Sequence, residues 1–193
     1  MFLQMCSIKK VIGFLFILSF AVDFVGAQNN AAAQTIINNY AARNFLSVPV
    51  TQAELDQIVQ AAVRAPSARN RQPWHFTVVQ NANLAKQIIS NITEGNVIIV
   101  ISALGDSKTN PVEILDAALA TQSIYLAAQA LGLGSRIYTG PVDAINKNLK
   151  TALDLPSGYS AVAVVRIGKI EKVDAVSAAS ARKTPSEVVT YKK

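Results

Sequence analysis

The sequence predicts one sheet with helices packed around it, an α+β or α/β domain. Three observations carry that expectation. Thr51 and Glu54 form a capping box ahead of Leu55, Ile58, Val59, Ala62 and Val63, which recur at helical spacing. Val97-Ile98-Ile99-Val100-Ile101 is an unbroken β-branched run, as in a strand buried on both faces. Residues 112–131 read as a long helix with apolar side chains nearly all round, among them Ile114, Leu115, Leu119, Ile124, Leu126 and Leu131. A helix without a polar side is buried in a core or in a subunit interface.

The chain begins with a separate segment. Lys9 and Lys10 precede an apolar run over residues 11–22, and Val25-Gly26-Ala27 supplies small residues before a polar stretch. This is the layout of a secretory signal peptide over residues 1–27. The run is shorter than the roughly 20 residues of a membrane span, so cleavage after Ala27 is expected, with an uncleaved anchor as the alternative. The mature domain, residues 28–193, would then be exported, to the periplasm or the medium, with no membrane attachment.

The sole Cys, Cys6, lies in that segment, which leaves the mature chain without disulfide, thiolate nucleophile or thiolate metal site. Its removal takes away Lys9, Lys10 and Asp23, so the formal charge falls by one from +6 to +5. No Lys/Arg block of nucleic-acid type is present.

In chain order, residues 31–42 suit a helix, interrupted at Val48-Pro49-Val50. The capped helix follows, and Pro66 ends it by disfavouring helix in the residue before it. Residues 75–79 are β-prone, residues 83–90 helical, and 97–101 form the buried strand. Gly132 and Gly134 read as terminators of the long helix. A strand over 135–139, a helix capped by Asp143 and running to Leu153, and a strand over 161–167 complete the domain. The tail carries Arg182-Lys183 and a β-prone piece over 187–191.

Chemistry-bearing motifs are few. The one His, His75, stands between Trp74 and Phe76 and reads as a packed residue rather than a catalyst. One His and no mature Cys make an ordinary zinc site unexpected. There is no Gly-x-Ser-x-Gly elbow, no Gly-x-Gly-x-x-Gly and no Walker loop. Any difficult chemistry therefore falls to a bound cofactor, with no side-chain catalyst expected.

One stretch stands out. Ala65-Pro66-Ser67-Ala68-Arg69-Asn70-Arg71-Gln72-Pro73-Trp74, placed between helix and strand, resembles the fingerprint of the FMN-dependent nitroreductases. Leu126-Ala127-Ala128-Gln129-Ala130-Leu131-Gly132-Leu133-Gly134-Ser135, followed by Ile137-Tyr138-Thr139-Gly140, supports the resemblance, which covers most of residues 36–191.

The resemblance implies an α+β, three-layer fold with a central mixed or antiparallel sheet flanked by helices. It also implies an intertwined homodimer holding one FMN in each of two interface clefts, with the long helix at the dimer centre. Pro66, Ser67, Ala68 and Asn70 match the loop that lies along the flavin from the opposite subunit. Tyr138, Thr139 and Gly140 match the segment facing the flavin N5 edge, and Arg43 a basic position near the isoalloxazine. Arg182 and Lys183 match the basic tail that holds the FMN phosphate.

The implied activity passes electrons from a reduced nicotinamide or another donor, through flavin N5, to a nitroaromatic- or quinone-like acceptor. Three departures are visible. Asn39-Tyr40-Ala41 stands where many members have an Arg-Arg-Ser-type run, Thr139 where many have an acid, and the connection from Val79 to Val97 is short. A flavin-binding protein without turnover and a flavin-free, non-catalytic exported protein on the same fold stay open as alternatives.

Overall fold

A computed structural model describes residues 30–105, 110–171 and 181–193. The expected signal segment, residues 1–27, lies outside them. Four strands, β1 (Trp74–Val79), β2 (Val97–Leu104), β3 (Gly134–Tyr138) and β4 (Tyr159–Gly168), form one open sheet in the order β1-β2-β4-β3. All three pairings are antiparallel, which narrows the expected mixed or antiparallel sheet to the antiparallel case.

Helices cover both faces, so the fold is α+β and has three layers. On one face Val97, Ile99 and Ile101 of β2 and Val165 and Ile167 of β4 pack against α2 (Gln52–Val63) and α4 (Pro111–Ala130). On the other, Ile98, Val100 and Val164 meet Ala85 and Ile88 of α3 (Ala82–Ile88), together with Ile145 and Leu153. Double coverage explains why β2 is apolar at every position but Ser102, itself buried, although its partners run antiparallel to it. Side chains alternate between faces, and here both faces are dry.

The capping box at α2 forms as expected, with Glu54 N–H on the Thr51 hydroxyl and the Glu54 carboxylate on Thr51 N–H. Glu54 also receives the Lys169 ammonium just beyond β4, tying the start of α2 to the end of the sheet. Burial pushes the Glu54 carboxyl up, but the Lys169 and Thr51 hydrogen bonds outweigh it and bring the group below its ordinary value of 4.5. A carboxyl depressed on folding contributes stability that is complete above its unfolded pKa and is lost as pH falls through the folded one. Glu54→Gln, which keeps a capping side chain, should therefore lower Tm at neutral pH by the equivalent of less than about 1 kcal/mol, since the pair is part-exposed. Thermal melts between pH 7 and pH 3 should show the gap to wild type closing in acid; a pH-independent gap would assign the effect to packing.

Several elements differ from expectation. The first helix, α1 (Ala31–Ile37), stops short of Ala42. Residues 38–46 leave it to bond the sheet, with Ala42 N–H on Ser135 O and Leu46 N–H on Lys169 O. Gly132 does end α4, at φ 74°, with Gly132 N–H on Gln129 O and Leu133 N–H on Ala128 O, a Schellman closure. Gly134, expected to terminate the helix too, instead opens β3. An added Cβ there would clash with Ile170 Cγ2 and meet Ala42 Cβ at 2.9 Å.

Asp143 is not a cap. The short α5 (Val142–Ala144) begins after Pro141 and continues as one π turn (Ile145–Leu149). Asn146 exchanges two hydrogen bonds with the Ala161 backbone and Lys150 bonds Tyr159 O, fastening this segment to the start of β4. The β-prone piece at 187–191 is also corrected: α6 (Pro185–Val188) forms there, because Thr184 and Glu187 make a second capping box with Pro185 at its first position.

α4 is buried on one side only. Asp116, Ala117, Ala120, Thr121, Ile124, Tyr125 and Ala128 face the core. Val112, Leu115 and Leu119 form a stripe 42%, 60% and 38% exposed. Its apolar residues thus serve two faces, one of them uncovered in the single chain.

Candidate functional site

The connection between α2 and β1 gathers three of the four non-glycine residues with positive φ among the described residues. Arg69, Asn70 and Gln72 have φ of 54°, 54° and 50°. Asn tolerates this left-handed region; for Arg and Gln each instance costs on the order of 1 kcal/mol. Such strain persists only where the surroundings fix it, and those surroundings are visible. Asp116 Oδ1 accepts Ala68 N–H at 3.0 Å, and Glu113, one turn earlier on α4, pairs with Arg71 at 3.0 Å. Within the loop, Ser67 Oγ accepts Gln72 N–H, and the Gln72 amide bonds Asn70 Oδ1. Below it Ala65, Trp74 and Ala120 pack together, with the Trp74 ring stacked 6.2 Å from that of Phe76. His75 lies edge-on to Tyr159 at 6.2 Å, the packed arrangement expected of it.

The loop therefore sits on the first turns of α4, at the edge of the sheet where Trp74 faces Ala103 and Pro73 O accepts Leu104 N–H. It presents Pro66 and Asn70 exposed and Ser67 and Ala68 half-buried.

Tyr138, Thr139 and Gly140 lie elsewhere. Tyr138 ends β3 opposite Val164, midway along β4, with the Arg136 guanidinium 5.1 Å from its ring centre. Thr139 and Gly140 follow it, exposed just beyond the outer strand.

Arg43 is at the opposite edge, beside Ala42 and the start of β3. A polar cluster holds this end together. Gln129 exchanges hydrogen bonds with the Tyr40 backbone and donates to Ser135 Oγ, which donates to Tyr125 O. Tyr125 Oη donates to Asn39 Oδ1 at 3.3 Å. Burial raises the Tyr125 phenol, while the Gln129 amide and the Arg182 charge act in the other direction. Burial, and then Tyr125, raise Tyr40. Arg182 is thereby placed near the C-terminal half of α4, with Lys183 exposed beside it. Asn39, standing where an Arg-Arg-Ser-type run was looked for, is committed to this internal tie.

The sequence-derived residues thus form three groups. One chain brings Pro66, Ser67, Ala68 and Asn70 together by the start of α4 and Arg43 and Arg182 toward its end, with Tyr138 to Gly140 on and just beyond the outer strand β3. Along α4, Asp116, which holds the loop, and Gln129, which holds the basic end, are separated by roughly 20 Å of helix axis. Asp116, Glu113, Gln129 and Asn39, which hold the groups in place, were not among the expected site residues. Asp116 and Gln129 did carry a signal, as polar interruptions of an otherwise apolar helix.

An open antiparallel sheet covered on both faces, with a strained polar loop seated on a half-exposed central helix, defines the architecture. The Nitroreductase family model matches residues 36–96 and 90–169, well over half of the chain. An Archaeoglobus fulgidus protein, provisionally named an NADH dehydrogenase/NAD(P)H nitroreductase, is 33% identical over 129 residues, 62% of this chain and 74% of that one. A Desulfitobacterium hafniense nitroreductase crystallised with bound FMN superposes with TM-score 0.71 at 22% identity, over 85% of this chain and 99% of that one. An FMN-dependent nitroreductase from Clostridium difficile does so with TM-score 0.65 at 27% identity, over 83% and 99%. This chain belongs to the nitroreductase family.

Proposed function

We propose that the protein is an FMN-dependent oxidoreductase that works as a homodimer and is exported. The observation that carries this is the division of the site. Loop residues and basic residues that would serve one flavin stand toward opposite ends of α4 in a single chain, and α4 offers an uncovered apolar stripe beside the loop. Two copies packed through α4 would bring one chain's loop to the other's basic edge.

The residues present fit FMN. In the loop, the Ser67 hydroxyl is held by Gln72 N–H and keeps its own proton to donate, and the Asn70 amide nitrogen is not used by any hydrogen bond among the described residues. These groups, with Pro66 and Ala68, would hold the ring and ribityl chain. The backbone of half-buried Tyr138 and of exposed Thr139 and Gly140 would line the N5 edge. Arg43 would face the isoalloxazine and stabilise negative charge there, and Arg182 and Lys183 would hold the phosphate. Bound FMN would supply two-electron chemistry at N5, which is why no side-chain nucleophile is needed. The chain's own contribution is orientation and charge, supplied by a loop already fixed by α4 before any ligand arrives.

A reduced nicotinamide is the proposed donor, and a nitroaromatic- or quinone-like molecule the acceptor. Residues 1–27 would direct the domain, residues 28–193, to the periplasm or the medium. The visible spectrum of the purified protein tests the cofactor: flavin bands should be present or should appear on adding FMN and persist through desalting. A protein that stays colourless refutes the assignment. Anaerobic addition of NADH or NADPH should then bleach those bands; absence of bleaching by either would remove the nicotinamide donor while leaving the flavin.

A further inference from the structure

Asp116 is 2% exposed, in the first half of a helix whose core side is otherwise almost wholly apolar. Its Oδ1 accepts Ala68 N–H, and its Oδ2 is buried with no hydrogen-bond partner. A buried carboxylate oxygen without a donor is costly, so the site retains Asp116 against its own stability. What the carboxylate gains is one hydrogen bond of 3.0 Å, from the backbone amide directly before the left-handed residues Arg69 and Asn70. Glu113 reaches the same loop through Arg71, but Arg71 is half exposed and the pair is correspondingly weak. Of the contacts that reach the loop from α4, Asp116 is therefore the chief one.

We propose that Asp116 is a positioning residue of the flavin site. It touches no ligand itself. By fixing Ala68 N–H with a charged acceptor it sets the backbone that presents Ser67 and Asn70, and in the dimer those groups serve the partner's cofactor. The role rests on the FMN assignment above.

The test compares wild type, Asp116→Ala and Asp116→Asn, the last retaining an oxygen that accepts Ala68 N–H. Two readouts are taken: amide hydrogen exchange of residues 67–72 in flavin-free protein, and FMN affinity with the visible circular dichroism of the bound flavin. Asp116→Ala should exchange faster at Ala68 and weaken FMN about tenfold or more, as expected for loss of a charged hydrogen bond. Its bound flavin should show an altered dichroic band, and Asp116→Asn should lie between it and wild type on all readouts. A variant that melts at lower temperature yet keeps wild-type exchange at Ala68, FMN affinity and flavin dichroism would overturn the proposal by reducing Asp116 to a core residue. Wild-type protein that takes up no FMN would instead overturn the cofactor assignment, and the positioning role with it. If wild type binds FMN and only the variants fail to differ, the fault lies with Asp116 alone.

Discussion

Leu115→Arg combined with Leu119→Arg is expected to give a folded monomer that does not retain FMN. Both side chains lie on the exposed stripe of α4, 60% and 38% accessible in the single chain, while the opposite side of the helix makes the core. Arginines there meet only solvent when the chain is alone, so far-UV dichroism and Tm of the monomer should be little disturbed. In a dimer packed through α4 they would replace two buried leucines, each contributing about 1.5–3 kcal/mol. They would also place like charges across a symmetric interface, because an isologous contact presents every substitution twice. Light scattering at micromolar concentration should report one chain per particle, and the flavin absorbance should no longer travel with the protein. A variant that stays dimeric would move the interface away from α4.

Ser67→Trp should have a comparable effect on the cofactor without touching assembly. Ser67 is half-buried in extended backbone, and its oxygen holds Gln72 N–H at 3.0 Å. Replacing it removes the acceptor that stabilises a left-handed glutamine and puts an indole where the loop would meet the ring. The expected result is loss of a hydrogen bond, worth about 1 kcal/mol, together with steric exclusion, for a drop in retained flavin of at least about tenfold after desalting. The dimer should persist, since Ser67 lies outside the α4 stripe. Unchanged flavin content would mean that the loop faces something other than the cofactor.

The contrast between these variants mirrors what local sequence could and could not specify. The Thr51–Glu54 box and the β-branched run through Ile99 are rules satisfied within a few residues, and both elements formed where expected. The second box, Thr184 with Glu187, obeys the same rule, but β propensity over residues 187–191 pointed the other way. Gly132 and Gly134 are indistinguishable as letters. Gly132 closes a helix through its positive φ, whereas Gly134 is required by the close approach of Ala42 and Ile170, residues distant in sequence. Likewise the loop at 66–70 was legible through the resemblance its contiguous residues carry, while the groups that shape it were not. Asp116 reaches Ala68 across 48 positions, and Gln129 reaches Tyr40 across 89. A buried acid in an apolar helix announces a partner but not its identity.

The central claim is that two chains together make one kind of flavin site. Size-exclusion chromatography with light scattering, read simultaneously at protein and flavin wavelengths after incubation with FMN, tests it most directly. A dimer carrying one FMN per chain is the predicted result. A monomer that holds FMN, or a dimer that elutes without it, would contradict the account.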